Sequence, residues 1–428
     1  MKRLLKGAQI LTRDACLQNG YLGIDGDRID YVDAQPPQVP YDETKDMTGA
    51  LLLPGLVNGH THTGMSLLRG LGSDLPLQQW LFDRVFPVED RLTDEDLRLG
   101  MELSMLEMLA SGTASFTDMY MGADYCAPAI LAAGMKANLC RPLQSFDPEE
   151  DPMTCRRMRE MLALYDQWHG AGNSRIQVDF SIHAEYTCTE KMVRAAAEEA
   201  HKRGVGMHIH LSETAAEQQN CIQKYGLTPA QWFDKLGAFD LRAYAAHGVW
   251  LTAEDRALLR ERGVTVVHCP ESNLKLGSGV ADVPALLQAG VSVALGTDGA
   301  ASNNNLNLVE EMHLVSILHK GIHRDPTLLS PRQVLTMATE SGARLQGRSD
   351  TGVLIPGNKA DIVAIRMDRP HLTPAIDPVS HLVYAAQGAD VSMTMVDGAI
   401  LYENGEYLTM DRDRILFDAR RAARRLWG

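Results

Sequence analysis

Histidines in this chain recur two residues apart. His60-Thr61-His62 closes one short apolar run, and His208-Ile209-His210 closes another, with Glu213 three residues further on. Other runs end in His183, His247, His268 or Asp298. Residues i and i+2 of a strand project to the same side, so His60 and His62 can turn both imidazoles towards one point. A third imidazole and the Asp298 carboxylate would complete a nitrogen and oxygen donor set suited to zinc, with iron or manganese chemically open. His208 and His210 compete for the third place; His210 is preferred, with His208 packing behind it. An ion so held lowers the pKa of a bound water towards neutrality. Glu213 is placed to shuttle a proton, and His247 to hydrogen-bond the water or steady the carboxylate. This is an inventory for metal-activated hydrolysis. One His-x-His pair would be weak evidence, and it is the convergence at successive run ends that carries the reading.

Something must bring those ends together. From residue 51 to residue 346, short apolar strands alternate with amphipathic helices. The strand candidates are Leu51–Val57 leading into His60, Ala114–Met119, Met135–Cys140, Ile176–His183, Val205–Leu211, Ala243–Val249, Val264–Cys269 and Val291–Gly296. Helical segments such as 189–203, 252–262 and 306–320 follow most of them. Thr93 before Asp94-Glu95-Asp96 is a helix N-cap signal, and the Leu97, Met101, Met105, Met108 stripe after it reads as core. Eight β/α units in about 290 residues predict an α/β fold, a (β/α)8 TIM-type barrel, whose active site gathers at the carboxyl ends of its strands. The first fifty residues read as β, with an Asp25-Gly26 hairpin turn, and β texture returns at Ala360–Met367, Ser392–Val396 and Ile400–Tyr402 before a basic helix, Asp411–Trp427. The predicted division is 1–54 and 353–428 as one small β-sandwich built from both ends, with 55–352 as the barrel. His313, His319 and His323 read as helix-surface residues, His169 as a turn residue, and His268 as either a support of the site or structural.

Composition narrows the partners. Lys+Arg 41 against Asp+Glu 55 gives a net charge of −14, which argues against nucleic acid or an anionic membrane as partner. The seven cysteines (16, 126, 140, 155, 188, 221 and 269) form no CxxC pair, which excludes thiolate zinc knuckles and fits a reducing, cytoplasmic location. Cys188 and Cys269 lie near strand ends without a paired base, so thiol catalysis is not indicated. The basic N-terminus lacks the apolar core of a signal peptide, and no run reaches membrane-spanning length. HExxH, GxSxG and PCxxC are absent, and Gly352 and Gly357 with the P-loop spacing are followed by Asn358 where Lys is required. The strand VDFSIHAEY offers no lysine to bridge two ions, so one divalent metal is expected.

The segments PGLVNGHTHTGMSLLRG, HIHLSET, AAHGVWL, HCPESNLKLGSG and GTDGAASNNNLNL resemble the signature of the amidohydrolase superfamily. Over essentially the full length, the chain resembles its 5-methylthioadenosine/S-adenosylhomocysteine deaminase branch. That resemblance implies His60, His62, His210 and Asp298 as metal ligands, Glu213 as proton relay to the purine nitrogen, and His247 with Asp298 as activators of the water. It implies hydrolytic deamination of an adenosine-type nucleoside: 5'-methylthioadenosine, S-adenosylhomocysteine, 5'-deoxyadenosine or adenosine. It further implies Glu89 on the ribose hydroxyls, Trp80 as an apolar wall, Arg141 and Arg157 near the substrate's tail, and His183 at a substrate position. Arg157 lies in an Arg156-Arg157-Met158-Arg159 run that also suits a solvated helix face. Where the family reads His-Ser-Pro-Tyr, this chain has His183-Ala184-Glu185-Tyr186, which would place a carboxylate at the cavity's edge. The same scaffold would also serve a guanine-type base deaminase or a triazine or aminoheterocycle hydrolase. A non-catalytic scaffold protein is the remote alternative, and a homo-oligomer is left open.

Overall fold

The computed structural model describes residues 1–72 and 74–427. Both ends of the chain enter one nine-stranded sheet. Lys2–Leu11 pairs antiparallel with Cys16–Asp25, which turns at Asp25-Gly26 into the antiparallel Arg28–Asp33. Ala50–Pro54 lies parallel to the first strand and antiparallel to Ile362–Arg366, which continues into Val391–Val396 and Ala399–Glu403. Alternation of apolar residues along these strands builds a separate core from Leu5, Ile10, Leu22, Ile24, Leu52, Ile362 and Met395.

The middle of the chain forms two parallel sheets. One contains Leu56–Thr61, Thr113–Met119, Lys136–Cys140 and Ile176–Val178; the other contains Pro142–Leu143, Phe180–Ile182, Met207–Leu211, Ala243–His247, Thr265–His268 and Ser292–Leu295. The predicted strand Ile176–His183 is thus divided between the sheets at residue 179, and past Cys140 the chain adds a short strand, Pro142–Leu143, to the second sheet. The break at Asp179 has a local cause. Its carboxylate accepts the Gly206 N–H at 2.7 Å, along with Arg242 Nη2 at 2.7 Å, Asn138 Nδ2 at 2.8 Å and the Tyr244 hydroxyl at 2.9 Å, so a side chain stands where a ladder bond would run. The run predicted as one strand, Leu51–Val57, is also divided: Ala50–Pro54 belongs to the terminal sheet and Leu56–Thr61 to a central one. A Cβ at the intervening Gly55 would fall 2.5 Å from the Ala114 Cβ.

Helices cover the central sheets, several opened by reciprocal caps. At Thr93 the side chain accepts the Asp96 N–H while Asp96 accepts the Thr93 N–H at 2.9 Å, starting Asp94–Ala110 as the sequence predicts. Thr93→Ala is expected to lower stability by about 1 kcal/mol, read as a shifted denaturation midpoint with unchanged activity. His319 departs from expectation. It continues the Leu308, Met312, Val315 stripe of the helix Leu308–His323 and is fully buried, its ring 5.9 Å from that of His268. Burial pushes these imidazoles down to about 4 and about 3, which keeps both neutral inside the packing. His268 therefore belongs to the wall behind the strands. Among the described residues, no helix is long and apolar enough to cross a membrane.

Candidate active site

The strand ends meet as the histidine spacing requires. Imidazole nitrogens of His60, His62 and His210 cluster together within 4.8 Å. His210 Nε2 lies 3.3 Å from His62 Nε2, and Asp298 Oδ1 lies 3.4 Å from His60 Nε2 and 3.2 Å from His62 Nε2. The opposite nitrogens are tied down: His62 Nδ1 donates to the Met119 carbonyl at 2.6 Å and His210 Nδ1 to the His183 carbonyl at 2.7 Å. These bonds fix the tautomers and leave the Nε2 lone pairs facing inward. His60 Nδ1 is hydrogen-bonded to His208 Nε2 at 3.1 Å, while the buried His60 Nε2 has no partner. His208 thus stands behind His60, its ring against Tyr244.

The electrostatics suit a cation. Burial pushes His60 down to about 4 and His210 well below the ordinary imidazole value, so both present lone pairs. Burial opposes charge on Asp298 as well, but the neighbouring His60 and His62 outweigh it and hold the carboxyl well below its ordinary value. Asp298 Oδ2 is anchored by the Ser272 and Ser302 hydroxyls at 2.6 and 2.8 Å, which leaves Oδ1 for the cluster. The three imidazoles therefore form a group that could hold a metal ion, with a carboxylate at its edge.

Glu213 and His247 face each other beside this cluster, with His247 Nε2 3.8 Å from Glu213 Oε2. His247 Nδ1 is held by Asn273 Oδ1 at 2.9 Å, and Glu213 Oε1 accepts the Ser278 hydroxyl at 3.1 Å. Glu217 accepts the backbone N–H groups of Ser212 and Glu213 at 2.8 and 2.7 Å, pinning the loop. Burial raises the Glu213 pKa, with His247 opposing. His247 and Asp298 both adopt left-handed backbone, φ +76° and +62°, a conformation costing about 1–3 kcal/mol that clusters at functional sites.

A cavity of about 600 Å³ opens over this floor. Trp80, Glu89, Arg141, Arg157, His183, Glu213 and Asp298 all line it, together with Tyr120 and Tyr186. Trp80 and Glu89 come from the segment Leu77–Glu89, where one widened π turn, Leu81–Val85, joins two short α turns. Glu89 is buried and accepts the Tyr120 hydroxyl at 2.5 Å through Oε1. His183 is pushed down to about 3 by burial. Arg157 faces the cavity rather than a solvated helix face, whereas Arg141 is paired with Glu160 at 2.9 Å. Glu185 is not at the cavity's edge: its side chain is buried outside the lining, and desolvation pushes it up to about 7. Residue-type reasoning passed over the supports Tyr120, Glu217, Ser272, Asn273, Ser278 and Ser302. Four of them lie inside the HCPESNLKLGSG and GTDGAASNN segments, where a short polar residue beside each ionisable one was the available signal.

The amidohydrolase family profile matches residues 51–401. A protein of Acetivibrio thermocellus named 5-methylthioadenosine/S-adenosylhomocysteine deaminase is 43% identical over 435 residues, covering 100% of both chains. A 5'-deoxyadenosine deaminase of Methanosarcina acetivorans is 42% identical, covering 99% of this chain and 98% of its own. Among solved structures, a zinc-bound adenosine deaminase from Xanthomonas campestris matches with a TM-score of 0.94 at 32% identity, over 99% of this chain and 98% of that one. With the family profile matched over most of its length and relatives alike from end to end, the chain belongs to the amidohydrolase family.

Proposed function

We propose that this protein is a metal-dependent hydrolytic deaminase of adenosine-type nucleosides, releasing ammonia and leaving the inosine analogue. The observation that carries the reading is the placement of a buried Glu213 facing His247 at 3.8 Å on the floor of the cavity that Asp298 lines, with a ribose-competent carboxylate, Glu89, in the same cavity. The two parallel sheets read as one (β/α)8 barrel. Asp298 N–H donates to the His60 carbonyl at 3.0 Å, and a Cβ at Gly296 would fall 2.9 Å from His60 N, so the last strand closes on the first. The terminal sheet, folding over its own apolar core, supplies the small β-sandwich, with boundaries at 54/55 and 352/353.

His60, His62, His210 and Asp298 would hold one divalent ion, zinc in this reading. When bound, the ion acidifies a water. Glu213 gives its proton to the purine ring nitrogen next to the amino-bearing carbon, which makes that carbon electrophilic. His247 and Asp298 take one proton of the attacking water and return it to the departing amine, ammonia leaves, and the remaining hydroxyl proton goes back to Glu213 as the new carbonyl forms. Glu89 Oε2 accepts from the ribose hydroxyls, Trp80 covers the apolar face of the nucleoside, and His183 orients it. The free thiols of all seven cysteines suit a cytoplasmic enzyme.

The test is a panel of 5'-methylthioadenosine, S-adenosylhomocysteine, 5'-deoxyadenosine, adenosine, guanine and a chlorotriazine, assayed for ammonia or chloride on zinc-loaded protein. Turnover confined to guanine or the triazine would overturn the nucleoside reading. Glu89→Ala is expected to raise KM for the nucleosides by about tenfold while leaving kcat within a factor of a few, because a lost ribose contact removes binding shared by ground and transition states.

A further inference from the structure

Arg141, Arg156 and Arg157 line the cavity together with Phe146, whose 65% exposure marks this as the open end. The three guanidinium groups are not equally available. Glu160 holds two of them: its Oε2 accepts from Arg141 Nε at 2.9 Å and its Oε1 from Arg156 Nε at 2.5 Å. Arg141 Nη1 also donates to the Pro142 carbonyl at 3.0 Å. A guanidinium can present two paired edges to a carboxylate, Nε with Nη2 or Nη1 with Nη2. In Arg141 the Nε edge is already engaged by a carboxylate and one Nη1 hydrogen by a carbonyl, so its charge is matched and its Nε/Nη2 fork is not free. Arg157 makes one long contact, Nη1 to the Gln144 carbonyl at 3.4 Å, and pairs with no carboxylate among the described residues.

We propose that Glu160 is a specificity-determining residue that neutralises Arg141 and blocks the Nε edge of its guanidinium, so that the open end of the cavity favours nucleosides with an uncharged 5' substituent over those whose tail ends in a carboxylate. The inference rests on the deaminase reading above. Glu160 acts through Arg141 and does not itself line the cavity, which makes it a positioning residue.

The experiment compares kcat/KM and equilibrium binding for 5'-methylthioadenosine and S-adenosylhomocysteine in wild type, Glu160→Gln, Glu160→Ala and the double variant Glu160→Gln/Arg141→Met, with Tm recorded for each. Wild type is expected to favour 5'-methylthioadenosine. Either Glu160 variant should shift the preference towards S-adenosylhomocysteine by about tenfold, the worth of one restored charge-assisted bidentate pair, mainly through KM. The double variant should lose that gain. A merely structural role for Glu160 would move both substrates together. An unchanged ratio in both single variants, or a wild type already preferring the carboxylate tail, overturns the proposal. A wild type that turns over neither nucleoside overturns the deaminase reading instead, and the ratio of binding constants then decides the role of Glu160.

Discussion

Glu213→Gln is expected to lower kcat for nucleoside deamination by about a thousandfold while metal content and nucleoside binding stay near wild type. The amide keeps the shape of the side chain and its contact with the Ser278 hydroxyl, but it has no acidic proton to place on the ring nitrogen. Burial raises the pKa of Glu213, so the group keeps its proton at pH values where an exposed glutamate would be ionised. A general acid works in its protonated form. The wild-type rate should therefore fall as pH rises through that elevated pKa, and this limb should be missing from the residual rate of the variant. Retention of more than a tenth of the wild-type kcat, with zinc measured on the same sample, would remove Glu213 from the mechanism.

The largest expected effect on stability lies far from the cavity. Lys136 is buried at the start of its strand, its Nζ 2.8 and 2.6 Å from the two oxygens of Asp361 and 2.7 Å from Asp397 Oδ1. Both aspartates come from the C-terminal β segment, so this cluster joins the terminal sheet to the central one. Lys136→Met leaves those carboxylates buried without their main cation, and loss of one partner from a buried pair costs about 3–5 kcal/mol. Burial works against charge on Asp397, but Lys136 outweighs it and holds the carboxyl below its ordinary value. A depressed carboxylate stabilises the fold above the unfolded-state pKa and loses that contribution as pH falls through the lower folded value. The gap between wild type and variant should thus be full at pH 7 and shrink below about pH 4. Denaturant titrations at the two pH values measure it, and a variant as stable as wild type at pH 7 would show that the cluster contributes nothing net.

The legible part of this molecule was periodic or chemically marked. Strands buried on both faces read as apolar runs, and ligands two residues apart announced a shared side, so the cluster of His60, His62 and His210 could be anticipated. Apart from His319, what escaped had no period. In Leu51–Val57 the Pro54-Gly55 pair marks the predicted division at 54/55, yet the run still read as one strand, because both flanking strands are equally apolar. His319 was misread from its residue type although its spacing from Leu308, Met312 and Val315 places it on the buried stripe. Glu185 looked like a cavity residue because it follows His183, yet the turn Glu185–Thr187 carries its side chain into the packing. The pairing of Arg141 with Glu160, nineteen residues away, depends on how a helix docks against a strand end, and no local pattern encodes that.

Gly55 has a mechanical consequence. The strand before it is hydrogen-bonded into the terminal sheet, the strand after it carries His60 and His62, and one residue separates the two. Gly55 N–H donates to the Asp361 carbonyl and Leu56 N–H to the Gly112 carbonyl, so the junction is clamped from both sides. No slack chain remains to absorb relative displacement. Displacing the terminal sheet would therefore pull directly on the imidazoles of His60 and His62, and binding of an ion in the metal site proposed above would in turn resist detachment of that sheet. The β segments at the two ends of the chain are in this sense part of the spring that sets the stiffness of the metal site.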